Sequence, residues 1–200
     1  MATWGLSGGG PYALGCAALL PDRIVATGVV GSVAPWGATG LDYLAGMGED
    51  NVEDIELYFS DREAARTKAA TDRDEILTVT AEQVLEGSKS LVSEVDAEVL
   101  SGDFAEYLVR SFQDGLAPGA DGWWDDEVAH LSPWGFDFAS IRVPVKVWHG
   151  RHDRFVPFQH GQWLAEHIPG AESDLSEMDG HLTLLVNRVP EVHEWLLGHF

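Results

Sequence analysis

A chain of 200 residues with 45% hydrophobic and 22% charged residue types has the composition of one ordinary globular core, which rules against a disordered or fibrous protein. The formal charge of −21, from 33 acidic against 12 basic residues, leaves no Lys/Arg patch able to neutralise phosphates, so nucleic acid is not an expected partner. No apolar run reaches the roughly 18 to 20 residues that cross a bilayer, and the first residues carry neither a basic flank nor an apolar export signal, so a cytoplasmic chain without membrane contact is expected. The acidity reads as a solvated surface that favours solubility. The single cysteine, Cys16, excludes an internal disulfide, and its place in the apolar stretch from Ala13 to Leu20 predicts burial as a small hydrophobe.

In chain order, Gly8 to Leu20 is a small-residue apolar run opened by glycines and Pro11 and closed by Pro21-Asp22, the punctuation of a helix. Ile24 to Gly31 is a short run rich in β-branched residues and predicts a buried parallel strand. From about Trp36 to Pro133 the texture changes. Val52 to Phe59, Ala64 to Thr71, Arg73 to Glu86 and Asp103 to Phe112 place apolar residues at helical spacing among many acids, predicting a helical insertion over residues 36–133. Trp123, Trp124 and Trp134 read as packing residues where the chain returns to the core. Val143 to Gly150 then predicts a second buried strand, Phe158 to Ile168 a helix, Ala171 to Met178 a polar edge strand, and Leu182 to Phe200 a final amphipathic helix. Strands alternating with helices imply an α/β class, with a mostly parallel sheet flanked by helices over residues 1–35 and 134–200.

Gly5-Leu6-Ser7-Gly8-Gly9 fits G-x-S-x-G, a pattern that puts a serine on a strained strand-to-helix turn. There the glycines two residues to either side are expected to be needed for room. A flexible Gly-Ser joint fits the same five residues; what favours the nucleophile is the apolar helix that starts at once and the buried strand that follows it. Over more than twenty residues, from Trp4 to Val30, the run Gly5-Leu6-Ser7-Gly8-Gly9-Gly10-Pro11-Tyr12-Ala13-Leu14, a small-residue helix and then Leu20-Pro21-Asp22-Arg23-Ile24 resembles the α/β-hydrolases. The resemblance implies that Ser7 is a nucleophile, and that the Gly8 N–H, at a helix N-terminus, is one of two oxyanion-hole donors. The insertion would be a helical cap.

The same resemblance extends to His149-Gly150-Arg151-His152-Asp153-Arg154-Phe155-Val156-Pro157, similar to the loop that carries the family's acid, and to Gly180-His181, similar to the site of its base. It implies a triad of Ser7, Asp153 and His181, with Gly180 letting the backbone bring the imidazole up to Ser7. Read without that resemblance, Asp153 would pair with Arg151 or Arg154, and Asp179 is the next candidate acid. His149, His160, His167, His193 and His199 fall in predicted strand or helix and are expected to be structural or exposed. His149, His152, Asp153 and His160 are metal-ligand types, but no H-E-x-x-H pairing joins them, so no metal is expected and no cofactor is implied.

Compared with α/β-hydrolases, the segment before the serine turn is short, Ala2-Thr3-Trp4 being all that stands for the leading strand. The expectation is a partial fold that lacks the family's N-terminal part. It would have an exposed edge at the serine strand, no second oxyanion donor, and a bare apolar face that a homodimer or a complementing chain would cover. Two functions follow. The chain is an esterase-like serine hydrolase acting on a small-molecule acyl substrate, or a catalytically impaired truncated hydrolase acting as a binding or assembly module.

Overall fold

Thr27-Gly28-Val29-Val30 carries no charge on either face, and it forms strand β2 (Thr27–Val30), buried at every position. The computed structural model describes residues 1–200 apart from the side chains of Leu85 and Glu86. Its sheet has four strands, β1 (Thr3–Leu6), β2, β3 (Val145–Gly150) and β4 (Glu172–Ser176), lying side by side in chain order and all parallel. Parallel neighbours require crossovers. Helix α1 (Gly9–Leu19) joins β1 to β2, α8 (Phe158–His167) joins β3 to β4, and α9 (His181–Leu197) follows β4.

The pleat divides the core in two. Val29, Val145 and Val147 face Leu14, Ala17, Leu164 and Ile168 of α1 and the α8 segment. Val30 and Trp148, one residue on, face Leu184, Val192 and Leu196 of α9 on the opposite side. Both faces of the sheet are therefore covered, as near-continuous apolar strands require. The β4 edge, Glu-Ser-Asp-Leu-Ser, is polar and largely exposed at its start, as expected.

Between β2 and β3 run six helices: α2 (Glu49–Ser60), α3 (Arg62–Ile76), α4 (Ala81–Gly87), α5 (Glu94–Val99), α6 (Gly102–Leu116) and α7 (Asp121–His130). Ile55 and Tyr58 of α2 and Trp124 of α7 form a small core with Tyr43 and Leu131, and Ala65 of α3 packs against it. The expected single helix from Arg73 to Glu86 is two. Thr80 caps α4, its hydroxyl accepting from the Gln83 N–H at 3.4 Å while Gln83 accepts from the Thr80 N–H at 2.9 Å, so the first helix must stop before it. Trp124 is a packing residue and Trp134 packs against the α1 side of the sheet core, whereas Trp123 lines a cavity. Cys16 is half-buried, not fully buried, because it opens onto a groove beside α1.

Candidate active site

Ser7 follows β1 at once, and its φ of 54° is the one positive value at a non-glycine residue among the described residues. A left-handed serine costs of order 1–3 kcal/mol and persists only where its surroundings over-determine it. Here the Ser7 N–H donates to the Val30 carbonyl at 2.8 Å, and the Ser7 carbonyl accepts from the Gly10 N–H at 3.0 Å. The turn is so tight that a Cβ on Gly5 would sit 2.1 Å from the Gly9 carbonyl oxygen. The expected need for glycine on the other side is not met at Gly9, whose Cβ would meet nothing. It falls instead on Gly10, where a Cβ would lie 2.0 Å from Ser32 Oγ, because α1 packs directly over the residues after β2.

The acid and base candidates come from the loops after β3 and β4. Gly150 has no room for a side chain, its Cβ lying 2.2 Å from the Asp179 carbonyl oxygen, so the two loops run in contact. The His152 N–H donates to that same carbonyl at 2.9 Å, and the Arg151 N–H to the Ser176 carbonyl at 2.8 Å. This brings Asp153 to His181. The buried Asp153 carboxylate accepts from the Val156 N–H at 2.8 Å with one oxygen and bonds His181 Nδ1 at 2.7 Å with the other. Neither arginine competes for it. Arg151 is engaged by Glu177 at 2.7 and 2.9 Å, and Asp179 is taken up by Arg188 at 2.8 Å and Asn187 at 3.1 Å.

With a carboxylate at Nδ1, that nitrogen carries the proton and Nε2 is left as the basic atom. Burial disfavours the imidazolium, but the charge and hydrogen bond of Asp153, with the charge of Asp96, outweigh it and hold the His181 pKa above the ordinary histidine value. The ring stacks on Phe155 with centroids 4.8 Å apart, and its other neighbour is Gly31, where a Cβ would lie 3.2 Å from Nδ1. Gly31 follows Val30, the residue that holds the Ser7 N–H, so the imidazole stands beside the serine turn. Among the described residues Ser7 Oγ has no hydrogen-bond partner; the direct contact within the predicted triad is between Asp153 and His181.

The Gly8 N–H also has no intramolecular partner among the described residues, while the Gly8 carbonyl accepts from His130 Nε2 of α7 at 2.9 Å. His130 was not legible as a site residue, being one of eight histidines in no motif. A cavity of about 320 Å³ opens in front of Ser7 and Gly8. Its lining is mixed, with Val33, Ile55, Trp123 and Phe155 beside Tyr43, Asn51, Asp54 and Glu127. Burial and the nearby Asp54 charge push the Glu127 pKa up.

The other histidines have separate surroundings. His160 accepts from the Ala34 N–H at 3.1 Å and bonds the Tyr43 carbonyl at 2.8 Å. His149 bonds the Val156 carbonyl at 2.8 Å, and His152 is exposed. No group of three His, Cys, Asp or Glu side chains among the described residues is arranged to hold a metal ion, and no helix among them is long and apolar enough to cross a membrane.

No family model and no curated protein matches the chain. Solved structures do. A bromoperoxidase from Bacillus anthracis is 20% identical and aligns over 98% of this chain and 66% of its own, with a TM-score of 0.63. An esterase from Exiguobacterium antarcticum is 20% identical over 98% of this chain and 65% of its own, at 0.58. A hydrolase from Oleispira antarctica is 16% identical over 98% and 64%, also at 0.58. At such identities the likeness is one of fold. The chain has a partial α/β-hydrolase fold and spans about two thirds of the length of these solved chains.

Proposed function

We propose, from an α/β-hydrolase fold with a strained serine turn beside a buried Asp-His pair, that this chain is a serine hydrolase cleaving a carboxylic ester or related acyl bond. The observation that carries the reading is convergence. Ser7, Gly31, Asp153 and His181 follow the C-terminal ends of β1, β2, β3 and β4, the side of a parallel sheet where ligands bind. Ser7 Oγ attacks the acyl carbon while His181 Nε2 takes its proton, and Asp153 holds the tautomer and stabilises the imidazolium. The oxyanion forms against the Gly8 N–H. As the tetrahedral intermediate collapses, the imidazolium protonates the departing alcohol; water, deprotonated by the same imidazole, then releases the acid from Ser7. The residues between β2 and β3 act as a cap whose Trp123, Asp54 and Glu127 shape the acyl pocket, which takes a small-molecule acyl substrate. No metal or cofactor enters this chemistry.

Hydrolysis of a neutral short-chain aryl ester tests it. Ser7→Ala and His181→Ala should each lower turnover by at least about 10³-fold. Because the base acts neutral, the acid limb of the rate profile should lie above the ordinary histidine pKa, in the direction His181 is shifted. Equal turnover by the folded Ser7→Ala variant would refute the reading. A second reading, a non-catalytic assembly module, is favoured by β1 having a ladder partner on one side only; no turnover by any folded form would support it.

A further inference from the structure

Helix α9 begins without a cap of its own. Its N-cap residue is Gly180, which has no side chain to accept from the first-turn N–H groups, and the Gly180 N–H is itself satisfied by Thr183 Oγ1. The acceptor comes from 85 residues away. Asp96 of α5, fully buried, takes the His181 N–H at 2.9 Å on Oδ2 and the Leu182 and Thr183 N–H groups at 2.9 Å each on Oδ1, with the Thr183 hydroxyl at 3.2 Å. Ser93 Oγ steadies it at 2.9 Å. Gly180 is shaped for this contact, since a Cβ there would fall 2.3 Å from Asp96 Oδ2. It admits a carboxylate, a role not expected from the sequence.

We propose that Asp96 is a positioning residue for His181, a cap supplied in trans by the helical insertion that fixes the backbone from which the imidazole reaches Asp153. The proposal deepens the hydrolase reading and rests on it for its functional meaning. His181 is the first residue of α9, so the bond that caps the helix is made by the candidate base itself. Seating of α5 and readiness of the base are then one event, and any movement of the insertion that withdraws Asp96 frees the imidazole.

Asp96 also adds a negative charge near the ring. The charged and titratable groups facing His181 are Asp153 and His149 from β3 and its loop and Asp96 from α5, and of these both carboxylates favour the imidazolium. Asp96→Asn keeps the shape and removes the charge. The His181 pKa, read from the imidazole resonances of the intact chain, should fall, and kcat should fall roughly tenfold with KM little changed. A merely structural cap would lower the melting temperature and leave the His181–Asp153 bond in place, so an unchanged downfield His181 Nδ1–H resonance in folded Asp96→Asn overturns the proposal. Should that variant not fold, the wild type decides. The His181, Leu182 and Thr183 amides should exchange as slowly as those in the middle of α9, and exchange at the rate of an open helix start overturns it. Both resonance readouts are independent of turnover, so failure of the hydrolase reading and failure of this one are separable.

Discussion

Three histidines are buried in the sheet core, His149, His160 and His181, and one of them is held basic. The difference lies in what meets each ring. His160 offers a lone pair to the Ala34 N–H and a proton to the Tyr43 carbonyl, so both nitrogens are satisfied in the neutral form, and protonation would set one N–H against another. Burial is the main cause of its pKa falling to about 4, with His149 lowering it further against the raising effects of the Tyr43 carbonyl and Asp153. A depressed folded pKa gives stability that is present above the unfolded value and lost as pH falls toward the folded one. His160 should therefore cost the fold roughly 3 kcal/mol between about pH 6.5 and 4. His181 is shifted the other way, and its contribution is already complete below its unfolded pKa, so it does not offset the loss. Urea unfolding across that window checks this; a midpoint constant from pH 6.5 to 4 would contradict it.

At the scale of elements, the near-continuous apolar strands and the small-residue helix α1 were legible because their partners are near in sequence or their pattern is dense. The serine turn, the Asp153 loop and Gly180-His181 were legible as motifs. What escaped was α5 and α7. Glu-Val-Asp-Ala-Glu-Val and Asp-Gly-Trp-Trp-Asp-Asp are dominated by acids, and what holds each helix is a distant partner: Asp96 against α9, His130 against Gly8. A buried aspartate among 33 acidic residues has no signature until its acceptor role is seen. The pocket's charge comes from α2 and α7: Glu127 lies on α7, Asp54 on α2 is paired with Lys68 at 2.9 Å, and no Lys or Arg among the described residues lines the cavity itself. An ester bearing a carboxylate should be cleaved at least about tenfold less efficiently than its neutral isostere, because it would be brought against like charge. Glu127→Gln should narrow that gap. Equal kcat/KM for the two esters would show that the cavity in front of Ser7 is not where the substrate sits.

Across the whole molecule two surfaces oppose each other in effect. One flank presents the single-sided strand β1, with exposed Met1, Tyr12, Leu19, Leu20 and Val25 and an apolar groove of about 750 Å³ beside α1. Such an edge favours pairing with a second copy. The chain as a whole carries 21 excess negative charges, which repel a second copy and are screened over about 10 Å at 0.1 M salt. Association should therefore strengthen as salt rises, which light scattering across a salt series reads directly; a monomer at every salt concentration would show that this flank needs no partner.

On the proposed mechanism, the left-handed serine is an activated nucleophile served by His181. A fluorophosphonate carries that claim to a single measurement, because it modifies a serine that an adjacent base has activated and leaves ordinary hydroxyls alone. Intact mass and peptide mapping of the folded chain should show one adduct, on Ser7, formed far more slowly in His181→Ala. No adduct on Ser7, or one that forms as fast without the imidazole, would contradict the account.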